Sequence, residues 1–253
     1  LQKKTLILPL LILIPWLCLG QSPYVQGTKA SFISTEPNTA PASATDLYTT
    51  QRQLLALLPL SFQKHTKPSE NTFREIFEWA QKHLFKHFEA YTPIEALVEK
   101  GTYNCVSGTL FYALLLDYYQ VPFVIHETLD HAYLIAYFGK QKRPVLIEST
   151  LKEQGWIAGK TAVEQQEVYY LKQSKSSFKT SIKSYELAAL QLYNLAVVAY
   201  NQKAYHQAQY YLRQNYILYP SARAEQLYRM VLAKTQASPM QAIAQGKTAT
   251  TIP

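Results

Sequence analysis

Apolar residues recur at three- and four-residue steps through Phe73, Ile76, Phe77, Ala80, Leu84 and Phe88. That spacing predicts an amphipathic helix from Pro68-Ser69-Glu70 to about Ala90. Ahead of it, Leu54, Leu55, Leu57, Leu58 and Leu60 cluster within residues 47–62 as a shorter helix. Residues 93–100 read as a helical connector. Residues 106–119 form the next helix, with Leu110, Ala113, Leu114 and Asp117 at helical steps and Asn104 or Tyr103 just ahead of the first turn. The period then changes to two: residues 122–128, 131–138 and 143–149 alternate as strands. Beyond them come a loop at 155–159, a short helix at 161–171 and a Ser/Lys-rich linker at 174–183. Residues 185–234 are almost wholly helical, with a break near 201–204 and another at Pro220.

The first twenty residues, LQKKTLILPLLILIPWLCLG, carry a positive end at Lys3 and Lys4, an apolar run, and small residues before Gln21. This is the pattern of a secretory signal peptide, and an uncleaved anchor is the alternative. Pro9 and Pro15 interrupt the run, which falls short of the ~20 apolar residues of a membrane span. No stable span is expected once the signal is removed, and the expected location is extracytoplasmic, periplasmic or secreted. Residues 21–50 read as a flexible Ser/Thr/Pro/Ala spacer and residues 236–253 as a disordered polar tail. The expected folded parts are 51–172 and 185–235.

Of 253 residues, 48% are hydrophobic and 17% charged, enough for one ordinary core. The formal charge of +8 falls to +6 without Lys3 and Lys4. No basic run exceeds Lys140-Gln-Lys-Arg143, and no aromatic-basic motif accompanies it, so nucleic acid is not an expected partner. His83 and His87 stand four apart on the predicted first long helix, but no glutamate follows His83 and no third ligand is in view. A zinc site is therefore not expected.

Two cysteines occur, Cys18 and Cys105, so loss of the leader leaves Cys105 alone. No intramolecular disulfide is then possible, and an odd cysteine in an oxidising compartment is either reactive or paired between molecules. Cys105 falls at the N-terminus of a predicted helix, where free N–H groups and the helix dipole favour a thiolate. Those N–H groups are also placed to receive the oxyanion of a tetrahedral intermediate. If Gly139-Lys140 closes a two-residue hairpin, residues whose numbers sum to 279 face each other, which pairs His131 with Glu148. Glu148 would then hold the imidazole of His131 in the tautomer a base needs. A longer turn through Lys142 would shift that register by two or more residues. His126, inside an apolar strand, is the competing base.

Asn-Cys-Val-Ser-Gly (104–108) opening a helix resembles the nucleophile motif of the transglutaminase-like superfamily. So do Thr-Leu-Asp-His-Ala-Tyr (128–133) on a strand and Leu-Ile-Glu-Ser-Thr (146–150) on the next. The resemblance spans about residues 73–159. It implies an α+β fold with a papain-like core, a nucleophile helix packed on a small antiparallel sheet. It implies Cys105 as nucleophile, His131 as base and Glu148 as the orienting acid, with Glu standing where Asp is commoner. No upstream Gln or Trp supplies a clear second oxyanion donor. The spacing Leu192, Leu195, Ala196, Ala199, Ala208, Leu212, Pro220 resembles a tetratricopeptide repeat, from which Asn215 departs.

The expected function is thiol-dependent hydrolysis or acyl transfer at an amide or peptide bond, on a peptide or protein substrate. The alternative is a catalytically inactive scaffold that binds a protein partner through residues 185–235. Neither a metal nor an organic cofactor is implied.

Overall fold

A computed structural model describes residues 47–174 and 178–235. The expected signal peptide, most of the spacer and the polar tail lie outside the described residues. Helix α1 (Leu47–Leu57) begins inside the stretch expected as spacer, and Pro59 separates it from the single turn α2 (Leu60–Gln63). Helix α3 (Glu70–His83) starts at Ser69, whose Oγ accepts the Thr72 N–H at 3.2 Å. Phe73, Ile76, Phe77 and Ala80 are buried, the stripe the periodicity marks.

The predicted continuation of this helix to Ala90 does not form. Phe85 turns into the core against Tyr103 and Phe111, and the N–H groups of Lys86 and His87 take the Gly101 carbonyl. Strand β1 (His87–Phe88) then pairs in parallel with β2 (Thr102–Tyr103). Apolar residues at helical steps were here serving a turn, and His83 and His87 do not share a helix. Helix α4 (Ile94–Lys100) ends at Gly101, whose φ of 73° is the left-handed cap that glycine adopts without strain.

Helix α5 (Cys105–Tyr118) is the centre of the molecule: every residue from Cys105 to Leu116 is buried. A helix covered all round needs no polar face, which explains its run of Leu, Phe, Tyr and Ala. Strands β3 (Phe123–Thr128), β4 (Ala132–Phe138), β5 (Arg143–Ile147), β6 (Trp156–Ala158) and β7 (Lys179–Ile182) form one antiparallel sheet in the order β6-β5-β4-β3-β7. Alternation along β4 divides its two faces. Ala132, Leu134, Ala136 and Phe138 join the core around α5. Tyr133 and Ile135 pack with Val163 and Tyr170 of helix α6 (Lys160–Gln173). The fold class is therefore α+β, as expected.

Two strands correct the reading of the chain. Residues expected as the loop 155–159 include β6, and the expected linker 174–183 contains β7. In β7 only Ile182 is buried, so an edge strand of composition Lys-Thr-Ser-Ile carries almost no apolar signal.

Helices α7 (Ser184–Asn201), α8 (Tyr205–Leu218) and α9 (Ala222–Thr235) follow. Ala196 and Ala208 are fully buried in a shared cluster, the close approach that small side chains permit. Asn215 is buried too, and its Nδ2 donates to the Ala189 carbonyl at 2.7 Å. Leu187 and Leu190 of α7 belong to the core around α5, so the helical region is continuous with the α/β layers. No helix among the described residues is long and apolar enough to cross a membrane.

Candidate active site

Cys105 is the first residue of α5 and is held there by a reciprocal cap. Asn104 Oδ1 accepts the Ser107 N–H at 2.9 Å, and Ser107 Oγ accepts the Asn104 N–H at 2.9 Å. Asn104 Nδ2 donates to the Thr92 carbonyl at 2.9 Å, tying the cap to the preceding segment. The N–H groups of Cys105 and Val106 take no part in the cap. They stand beside the thiol at the positive end of the helix dipole.

The start of α5 also requires Gly108. A Cβ built there would lie 2.4 Å from the side chain of Ser149, which is itself fully buried. Gly108→Ala is therefore expected to destabilise the protein by about 1–3 kcal/mol, the usual cost of overpacking. Urea unfolding measures it, and an unchanged midpoint would show that the Ser149 segment yields.

His131 closes the turn between β3 and β4. The Thr128 N–H donates to the His131 carbonyl at 2.9 Å, and the His131 N–H donates to Thr128 Oγ1 at 3.1 Å. The ring packs against Tyr170 and Tyr133 at 4.9 and 6.1 Å between centroids. Its Nε2 is hydrogen-bonded to Glu148 Oε2, and the Cys105 thiol lies close enough to the ring to help raise its pKa. The three residues singled out in the sequence thus come together.

Glu148 arrives by a different register from the one expected. Phe138 faces Arg143 and Leu134 faces Ile147, so paired numbers sum to 281 and the loop holds four residues, 139–142. Continuing that register puts Glu148 opposite Tyr133, one diagonal step from His131. A diagonal neighbour lies about 7–8 Å away in a sheet, within reach of a long side chain. The additional methylene of Glu over Asp makes this connection possible.

The Glu148 carboxylate is almost fully buried, 1% exposed, and receives four donors. Besides His131, Tyr170 Oη donates to Oε2 at 2.9 Å, and the Thr150 N–H and Oγ1 both donate to Oε1 at 2.8 Å. Burial alone would raise its pKa, but the His131 charge and these hydrogen bonds hold it below its ordinary value. Burial would likewise lower the pKa of His131, and the Glu148 charge, with the bonds to Cys105 and Glu148, outweighs it and raises it well above 6.5. Both shifts favour the charged forms of the pair.

His126 occupies a different place. Its Nδ1 lies 3.5 Å from Ser181 Oγ, its Nε2 lies 3.8 Å from Glu167, and its ring packs on Tyr133. Burial and Lys179 depress its pKa against the opposing pull of Glu167. None of its partners is the thiol. Tyr170, by contrast, was missed in the sequence although it touches both Glu148 and His131. Its one signal is the seven-residue step from Val163, which places both on the buried stripe of α6. Among the described residues no group of three His, Cys, Asp or Glu could hold a metal ion.

Fold and site together define an α+β protein in which a buried helix and the end of an antiparallel sheet assemble cysteine, histidine and glutamate. No known protein family, curated protein or solved structure matches the chain.

Proposed function

We propose that this protein is a thiol-dependent hydrolase or acyl transferase of the transglutaminase-like type, acting at amide or peptide bonds. The observation that carries the reading is the Cys105 thiol at a helix N-terminus, beside an imidazole that is hydrogen-bonded to a buried carboxylate. In such an arrangement the thiolate of Cys105 attacks the carbonyl carbon while His131 is protonated. The N–H groups of Cys105 and Val106 receive the oxyanion. The imidazolium then gives its proton to the departing amine, leaving a thioester on Cys105 and a neutral imidazole. His131 removes a proton from water or an incoming amine, which attacks the thioester and regenerates the thiolate. Glu148 keeps the ring oriented and balances its charge throughout. The chemistry calls on no metal or organic cofactor, and the leader-like first twenty residues support a location outside the cytoplasm.

The substrate in this reading is a peptide or protein, and the helices of residues 185–235 are a surface for a protein partner. A second reading is a scaffold without turnover. It is favoured by the low exposure of Cys105, 9%, since a thiol serving only as a core residue has no need of solvent.

p-Nitrophenyl acetate separates the two. The hydrolase reading expects a burst of nitrophenol and an acetyl thioester on the Cys105 peptide by mass spectrometry, discharged by water or faster by an added amine. Folded protein that forms no thioester would sink it in favour of the scaffold.

A further inference from the structure

The turn that carries His131 is held from the far side by the C-terminal helices. Glu127, the penultimate residue of β3, is buried with its side chain 1% exposed. Arg223 of α9, 11% exposed, places its Nε 2.7 Å from Glu127 Oε1. The Arg223 Nη2 also donates to the carbonyl of Thr128. Tyr219, at the end of α8, donates its hydroxyl to Glu127 Oε2. The guanidinium lies over the ring of Tyr193 of α7, 5.7 Å from its centroid. The Arg223 side chain therefore meets a ring of α7 and the last two residues before the histidine turn, and Tyr219 shares its carboxylate partner.

The geometry continues to the site in two steps. The carbonyl of Thr128 is fixed by Arg223, while the N–H and hydroxyl of the same residue bind the main chain of His131. Thr128 Oγ1 also donates to Asp130 Oδ1 at 3.2 Å, so every residue of the turn but Leu129 is anchored to Thr128. Beyond His131 the ring meets Cys105, Glu148, Tyr133 and Tyr170. The ladders to β4 and β7 set the register of β3 up to Thr128, and the Arg223 bond to the Thr128 carbonyl adds a fixed point at the end of the strand.

Building on the cysteine–histidine–glutamate reading, we propose that Arg223 is a positioning residue for His131, so that the C-terminal helices form part of the support of the active site. A planar guanidinium suits the task because it bonds a carboxylate and a carbonyl at once, which a lysine ammonium does with poorer geometry. Loss of the contact leaves Glu127 buried without its counter-charge, which threatens the fold as well as the site. A test must separate those effects.

Two variants of the full chain do so. Arg223→Lys keeps the charge. The double variant Arg223→Met with Glu127→Gln removes both charges together and so strands neither. Each is compared with the wild type by circular dichroism for folding, by NMR titration of the His131 ring, and by iodoacetamide alkylation of the Cys105 peptide at pH 6. The proposal expects folded variants in which the His131 titration moves down and alkylation slows about tenfold or more, as misplacement of a supporting group commonly does. A folded variant with the wild-type titration and alkylation rate would overturn it and leave the hydrolase reading intact. A titration that moves in the variants, while the wild-type thiol alkylates like a free one, would keep the positioning role and sink the hydrolase. Unfolding of both variants would make the Arg223 contact a determinant of the fold and overturn its assignment to His131.

Discussion

Replacing His131 by alanine is expected to slow iodoacetamide alkylation of Cys105 at pH 6 by about a hundredfold. An ordinary thiol with a pKa near 8.5 is only about 0.3% ionised at that pH, and alkylation follows the thiolate. In the wild type the thiol lies beside an imidazole whose pKa is raised well above 6.5, which favours the imidazolium. Alanine removes that charge. Because Cys18 is also present in the chain, the adduct is followed on the Cys105 peptide by mass spectrometry. Fast labelling well below pH 8 that collapses in His131→Ala marks a thiolate–imidazolium pair. Slow labelling with the same ordinary profile in both proteins would sink the catalytic reading, and the helices of residues 185–235 would become the place to look for function.

Replacing Glu148 by alanine is expected to cost about 3–5 kcal/mol of stability, the range for breaking a buried ion pair from one side. The carboxylate receives His131, Tyr170 and two donors of Thr150, so truncation strands an imidazolium and three hydrogen-bond donors in the interior. Glu148→Gln keeps the shape and removes the charge, and is the cleaner probe. Without the carboxylate, burial is opposed only by Cys105 and the pKa of His131 falls.

The pH dependence follows in sign from both shifts. The lowered pKa of Glu148 contributes stability that is present above its ordinary 4.5 and lost as pH falls through the folded value. The raised pKa of His131 contributes stability that is complete below its ordinary 6.5 and lost as pH rises through the folded value. Both are fully in place between 4.5 and 6.5. Urea midpoints of the wild type should be highest there and decline on both sides, while Glu148→Gln should lose most of both limbs. An identical pH profile in the two proteins would show that the pair does not govern stability. Glu148→Asp should behave like a partial deletion, because its shorter arm cannot span the diagonal from β5 to His131.

Local patterns reached far into this protein. The buried stripe of α3, the cap ahead of Cys105, the three strands β3 to β5 and the breaks between the last three helices all follow from side-chain periodicity and from the few residues that cap or break a helix. These are decisions between near neighbours, and near neighbours are what a sequence displays. The end of α3 was misread because Leu84 and Phe88 continue a helical spacing while the backbone turns to meet Gly101, a partner 15 residues beyond Lys86. Strand β7 was invisible because an edge strand with one buried residue owes its existence to the free edge of β3.

The same division runs through the site. Which three residue types take part, and that a helix start would carry the thiol, was determined by the sequence itself, since cap, helix and alternating strands are local. Which atoms meet was decided only by tertiary structure. The four-residue loop moved the hairpin register by two, and the reach of a glutamate side chain restored the contact with His131 along the diagonal. Tyr170 and Arg223 joined from helices 39 and 92 residues beyond His131, the first because α6 packs on the sheet and the second because α9, packed on α7 and α8, sends its guanidinium to the end of β3. Nothing in their own neighbourhoods marks them, because their roles lie in the charges and hydrogen bonds they complete across the core.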